Sequence, residues 1–397
     1  ALADTTDPEM RAHLQKIIND LSVEAAEYVI PNEFDRLITH YGGTKLNART
    51  SQDYTCFFNT FSPQYIAQWA EINSERLMNP VFRMFQGELE TVYEEKEMYD
   101  DTIGGKAMPK ILERYFYPHP YAHAIIGCNE YIKNIRVSDV RRFFEEYYVA
   151  SNMGLLLSGD FDTDHVLPII EPAFSRIKSG KAPKRDYEQP RGFHGREKMV
   201  VNMEMPFVKG MAMGFRGLRA DNPDQLPLKL ATMLLNNSNG TGFLDKLVVD
   251  HKLLSALVVN DSYKEAGMLG IMVMTKFFFQ SYPSAEKLLW KVIDRIKSGD
   301  FSDGMFESLK LEMKRDILFD MEEINSRMGM MIGVFSQDKS WQDYINEVLD
   351  IDKITRQDVI DVANRYFTKD YLLITKKTGS YPSSPLPSTG FKPIKPK

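Results

Sequence analysis

Asp139-Val140-Arg141-Arg142-Phe143-Phe144-Glu145-Glu146-Tyr147-Tyr148 returns in pattern as Asp358-Val359-Ile360-Asp361-Val362-Ala363-Asn364-Arg365-Tyr366-Phe367. The offset of 219 sets Phe143 on Val362, Tyr147 on Tyr366 and Tyr148 on Phe367, and further on Leu155 on Ile374. Apolar positions coincide through a helix and into the short run Met153 to Leu157, which reads as a buried strand. Upstream an offset of 221 sets Trp69 on Trp290 and Phe85 on Phe306, again helix on helix. Self-similarity at this distance marks two tandem copies of one α+β unit.

The copies bound the domains. Residues 1–180 form the first, 181–195 a linker rich in Gly, Pro and charge, and 196–380 the second. The second copy starts with elements the first does not show: a strand-like run Met205 to Phe215 and a helix Leu226 to Leu235, followed by strands near Leu257 and Met268. The first opens on a polar helix, Pro8 to Ala26, then a short helix from Pro31 that stops at Gly42-Gly43. Its strand alternates Tyr54, Cys56, Phe58 against Thr55, Phe57, Asn59, and Ser62-Pro63 then caps a helix carrying Trp69. The first domain is thus expected to be incomplete at its N-terminal side. Residues 381–397, Pro- and Ser-rich, read as a hinge toward a further part of a longer polypeptide.

At 397 residues and 43% apolar content the chain has material for two packed interiors. A net charge of −6 with no dense Lys/Arg tract argues against nucleic acid as a partner. No apolar run approaches the ~20 residues of a membrane span. Two cysteines, Cys56 and Cys128, are too few for a disulfide framework and leave the compartment open. Asn236 to Gly242 lacks the Lys-Ser/Thr of a phosphate loop and reads as a turn.

The stretch with chemical promise is Phe85-Gln86-Gly87-Glu88-Leu89-Glu90-Thr91-Val92-Tyr93-Glu94-Glu95-Lys96-Glu97-Met98-Tyr99. On a helix Phe85, Leu89, Val92 and Tyr99 fall within about 80° and are expected to be the buried face, with Glu90, Glu94 and Glu97 opposite. Glu88 and Glu95, two turns apart, flank that face and call for a partner, because an unpaired charge beside a core is costly. In the second copy they meet Leu309 and Asp316, so the packing unit does not itself require the two carboxylates. From spacing alone a salt-bridged structural role is the simpler reading. His119 and His123 stand four apart, but Pro118 and Pro120 forbid the regular helix that would make this ligand spacing. The segment Tyr115 to Gly127 reads as a proline-broken loop or lid. Asn47-Ala48-Arg49-Thr50, after the Gly-Gly turn, reads as an edge strand, either bland or able to pair with an extended peptide.

Together, Gly42-Gly43, Asn47-Ala48-Arg49-Thr50 with Asp53-Tyr54-Thr55, and Glu88 and Glu95 around Val92 resemble the inverzincin metallopeptidases of the insulinase/pitrilysin family. The resemblance implies an α+β, insulinase-like fold: two tandem homologous domains, each a mainly antiparallel sheet packed with helices, the second catalytically silent. It implies Zn2+ held by two histidines of a His-x-x-Glu-His helix and a distant glutamate, with the motif glutamate as general base. By position Glu95 is then the metal ligand, Glu88 its outer-shell support, and Asn47, Ala48, Arg49 and Thr50 the edge that holds substrate. No His-x-x-Glu-His occurs in this sequence, and its general base is expected upstream of Ala1. The implied parent is a zinc metalloendopeptidase that closes a chamber over a peptide or unfolded polypeptide with a second half or second subunit. On this reading the fragment itself is inactive and holds no zinc; the alternative is a noncatalytic peptide-binding or structural subunit of the same fold.

Overall fold

The computed structural model describes residue 5 and residues 7–276 and 280–382. The residues from 383 onward, most of the expected hinge, lie outside the described residues. Two compact units emerge. The first takes the residues up to Asp101 and His123–Asp186; the second takes Thr102–Ala122 and Tyr187–Pro382.

The first unit begins with α1 (Pro8–Ala26), capped by the Asp7 carboxylate and without a single buried residue. Helix α2 (Glu33–His40) ends in a Schellman motif: Gly42 N–H bonds Thr39 O at 3.0 Å and Gly43 N–H bonds Ile38 O at 2.8 Å. Both glycines are required there. Gly42 has φ +72°, and a Cβ on Gly43 would lie 2.3 Å from Ile38 Cγ2. This turn delivers the chain into β1 (Thr44–Thr50), which pairs antiparallel with β2 (Thr55–Thr60) across a bulge between Thr44 and Asn47. Helices α3 (Ile66–Met78) and α4 (Phe85–Asp101) follow. The chain then passes through α5 (Met108–Phe116), part of the second unit, and returns as α6 (Asn129–Asn134), α7 (Val137–Tyr147) and α8 (Thr163–Phe174). The core here is small: Ala70 of α3 meets Val166, Ile170 and Ala173 of α8, with Trp69 and Phe174 at its margin.

Met153 to Leu157 does not form the buried strand expected of it. The run is extended but unpaired, and Leu155 is 43% exposed. The reason is visible in the second unit. There β3 (Arg196–Met203), β4 (Lys209–Gly217), β5 (Ser255–Ser262), β6 (Gly267–Thr275) and β7 (Tyr371–Thr378) form one sheet in the order β3-β7-β4-β6-β5. The counterpart of Met153–Leu157 is β7, which pairs parallel with β3 and antiparallel with β4. Neither β3 nor β4 has a counterpart among the described residues of the first unit, so this run has no ladder to join.

Between the strands of the second unit lie α9 (Gln225–Leu235), α10 (Phe243–Val249), α11 (Tyr282–Lys297), α12 (Asp303–Glu322), α13 (Ile324–Ser336), α14 (Trp341–Asp350) and α15 (Arg356–Tyr366). Alternation divides the sheet. Met211, Met213, Phe215, Leu269, Ile271, Val273 and Leu373 point to one face, where α9, α11, α12 and α15 close a large core over them. On the other face Leu372 and Ile374 meet Tyr115, Phe116, Tyr121 and Ala122. The aromatic segment read as a loop or lid is therefore, up to Ala122, core of the second unit, and the chain does not divide into domains at residues 181–195 alone. Gly214 makes this possible, since a Cβ there would stand 2.9 Å from the Tyr115 ring. The architecture is α+β, with a mainly antiparallel sheet in the second unit.

Candidate functional site

Helix α4 buries Tyr93 and Lys96, while Tyr99 is 54% exposed. At about 100° per residue, the buried stripe is centred near Leu89, Tyr93 and Lys96, rotated by about 50° from the face read from the sequence. The rotation has polar causes that hydrophobic spacing does not register. Tyr93 Oη donates to Ile132 O at 3.2 Å, and Lys96 buries its stem and pairs with Asp100 at 2.5 Å. Burial pushes the Tyr93 phenol upward, helped by Glu90 and opposed by Arg11. Glu90, expected in solvent, is half-buried, with one carboxylate oxygen that has no hydrogen-bond partner among the described residues. Burial and the Glu94 charge raise its pKa.

The same rotation carries Glu88 and Glu95 out to solvent. They share one flank of α4, about 10.5 Å apart along its axis. On β1, Asn47, Ala48, Arg49 and Thr50 are likewise exposed, and β1 has β2 as its one ladder partner among the described residues. Ala48 N–H donates to Asn47 Oδ1 at 2.8 Å, so this edge amide is already occupied by its neighbour's side chain. Arg49 stacks 5.7 Å over Tyr54, and Thr50 and Thr55 hydroxyls lie 3.4 Å apart, which fixes the tip of the hairpin. Burial raises the Cys56 thiol pKa, against the lowering effect of Arg49, its register partner.

His119 serves structure, while His123 is exposed. His119, 1% exposed, accepts Tyr121 N–H on Nδ1 at 3.2 Å and has Nε2 3.1 Å from Glu265 Oε2. Those two contacts select the tautomer with the proton on Nε2, donated to the carboxylate. No group of three or more His, Cys, Asp and Glu side chains that could hold a metal occurs among the described residues. A zinc site needs three protein ligands and an open position. The described donors do not meet that requirement.

Helix α12 supplies the comparison that gives α4 its interest. The order α2-β1-β2-α3-α4 matches α10-β5-β6-α11-α12. In α12, Phe306, Leu309 and Met313 are buried and pack toward α9. Their counterparts are Phe85, Glu88 and Val92. The position that is solid core in α12 is thus an exposed carboxylate in α4. Helix α1 does not do for α4 what α9 does for α12, since α9 buries six residues and α1 none.

The family model described as the peptidase M16 inactive domain matches residues 134–313. The chain is 23% identical over 365 residues to the zinc protease PqqE of Helicobacter pylori, covering 90% of this chain and 81% of that one. It is 22% identical over 341 residues to the mitochondrial-processing peptidase subunit beta of Saccharomyces cerevisiae, covering 81% and 73%. Among solved structures, a protease from Helicobacter pylori superposes with a TM-score of 0.78 at 20% identity, over 87% of this chain and 84% of the other. That likeness in fold accords with the element order described above. Over most of its length the chain is thus similar to M16 zinc proteases and processing-peptidase subunits, and it shares their fold.

Proposed function

We propose that this chain is part of a zinc-dependent metalloendopeptidase acting on peptides or unfolded polypeptides, and that α4 forms one wall of its site. Glu95 is the carboxylate ligand, Glu88 supports it, and Asn47 to Thr50 line the edge along which substrate lies. The observation that carries this reading is the flank of α4. Glu88 stands exposed where α12 buries Leu309 against α9, and Glu95, two turns on and on the same flank, is exposed where α12 carries the half-buried Asp316. A carboxylate at such a position is stable only if the facing wall is polar or charged. The remaining ligands and the general base belong to a helix at the α9 position of the first domain, carried by a longer polypeptide. A second subunit or second half closes the chamber.

The test has two arms. Zinc titrated into this chain should bind more weakly than micromolar; stoichiometric submicromolar binding would sink the assignment of the other ligands elsewhere. In the longer enzyme, Glu95→Gln should abolish both metal content, read by atomic emission, and cleavage of an unstructured peptide. Retained metal and turnover would remove Glu95 from the site. A noncatalytic subunit is the second reading, favoured by the match to a family model named for an inactive domain. In that case the longer polypeptide should hold no zinc even with Glu95 intact.

A further inference from the structure

The first unit has a cleft of ≈ 490 Å3 that the peptidase reading does not use. Its volume is in the range that accepts a small ligand or a chain end. Leu77 at the end of α3, Val81 and Phe82 in the following connection, and Phe144 of α7 make it apolar. The aromatic wall is built: Phe82 meets Phe144 edge-on at 6.2 Å, and Phe144 stacks on Tyr148 at 4.4 Å.

The rim is cationic. Arg141, Arg176 and Lys178 line it against the one acid Glu145. Arg176 is committed, donating to Glu71 at 2.7 Å and to Ser74 at 2.9 Å. Arg141 is not: its guanidinium stands 5.7 Å over the Phe82 ring and makes no ion pair among the described residues, and neither does Lys178. Lys181, Lys184 and Arg185 follow in sequence without an acid between them, but none of the three lines the cleft and Arg185 pairs with Asp53 at 2.8 Å. With Arg141 and Lys178 uncommitted, the rim calls for one negative charge. Met78, Asn79 and Tyr148 also line the cleft, where α3 and α7 end. Helix C-termini present carbonyl oxygens and negative dipole ends, which disfavour a multiply charged phosphate and accept N–H donors.

One ligand class brings an apolar side chain, amide N–H donors and a single carboxylate together. We propose that this cleft binds the C-terminus of a peptide, its free carboxylate between Arg141 and Lys178 and its last, apolar side chain against Leu77, Val81, Phe82 and Phe144. Neither Glu88 nor Glu95 lines this cleft, and binding there does not depend on catalysis.

The experiment uses the full chain and two probes, acetyl-Gly-Leu-Phe with a free carboxylate and the same peptide as its C-terminal amide, titrated by calorimetry or saturation-transfer NMR. The acid should bind about tenfold tighter than the amide, the worth of a charge-assisted hydrogen bond. The preference should shrink with added salt, because the rim is solvent-exposed. Arg141→Gln with Lys178→Gln should bring acid and amide to within about twofold, with circular dichroism unchanged since both side chains are on the surface. Equal binding of acid and amide overturns the proposal, as does no binding of either, or an undiminished preference in the double variant. A zinc result on Glu95 bears on none of these outcomes.

Discussion

Tyr115 decides to which unit residues 102–122 belong, and its removal has a calculable cost. The side chain is 1% exposed, its ring packs 5.1 Å from Phe116 and 5.4 Å from Phe193, and the Arg216 guanidinium stacks on it at 5.0 Å. Its hydroxyl donates to Leu269 O and accepts Leu269 N–H, both at 3.2 Å, locking α5 onto β6. Tyr115→Ala removes a buried aromatic ring and leaves a cavity, which costs about 3–5 kcal/mol. For a unit of this size that is a fall of about 6–20 °C in midpoint. Tyr115→Phe keeps the ring and forfeits two hydrogen bonds, about 1–3 kcal/mol. The assay is hydrogen exchange by mass spectrometry on the full chain at mild denaturant. Peptides covering β4 and β6 should lose protection in the order wild type, Phe, Ala, while those covering α3 and α8 keep theirs. Loss of protection confined to α3 and α8 would refute the assignment of α5 to the second unit.

Gly43→Ala should destabilise the first unit by about 1–3 kcal/mol, since its Cβ would sit 2.3 Å from Ile38 Cγ2 and 2.7 Å from the Ile38 carbonyl oxygen; a denaturant midpoint within error of wild type would contradict the Schellman turn. Glu286 receives Arg196 Nε and Nη2, both at 2.6 Å, and these bonds, with a further one from Tyr371, hold its carboxyl below its ordinary value of 4.5. Such a group stabilises above its unfolded pKa and loses that contribution as pH falls through the folded one. Glu286→Gln should therefore cost about 1–3 kcal/mol at pH 7, with the gap to wild type closing below about pH 4 in denaturant midpoints measured across pH; a gap independent of pH would assign the loss to packing alone.

Much of the fold was legible because local chemistry states it. Gly42-Gly43 ends α2 by a hydrogen-bonding requirement that few other residues meet, and Asp7-Pro8 starts α1 by capping. The β5 and β6 strands announce themselves by alternation. What spacing did not reveal depends on partners distant in sequence. The rotation of α4 follows from Tyr93 reaching Ile132, 39 residues on. One local signal was present, the i,i+4 pair Lys96 and Asp100: Lys96 falls inside the arc read as buried, where its charge needs a partner. The place of Tyr115 depends on Leu269, 154 residues away, and on the missing Cβ of Gly214. The cationic cleft had a local signal too, Arg176 and Lys178 with no acid between them, but its apolar wall comes from α3 and α7.

Three departures in the first unit share one cause. Met153 to Leu157 forms no strand, Phe57 and Phe58 on opposite faces of β2 are 42% and 40% exposed, and Glu88 and Glu95 face solvent. In the second unit the matching places are filled by β3, β4 and α9: β7 pairs with β3 and β4, β6 pairs with β4, and α12 packs on α9. Counterparts of these three elements are not among the described residues of the first unit. A chain segment supplying a strand beside β2 would cover the two phenylalanines and give Met153 to Leu157 its ladder in the same step. The helix that came with it would face Glu88 and Glu95. A leucine-rich helix like α9 would leave two carboxylates desolvated and unpaired, so the helix that fits there carries charge or binds it. The two glutamates thus constrain the chemistry of their partner more tightly than the fold does.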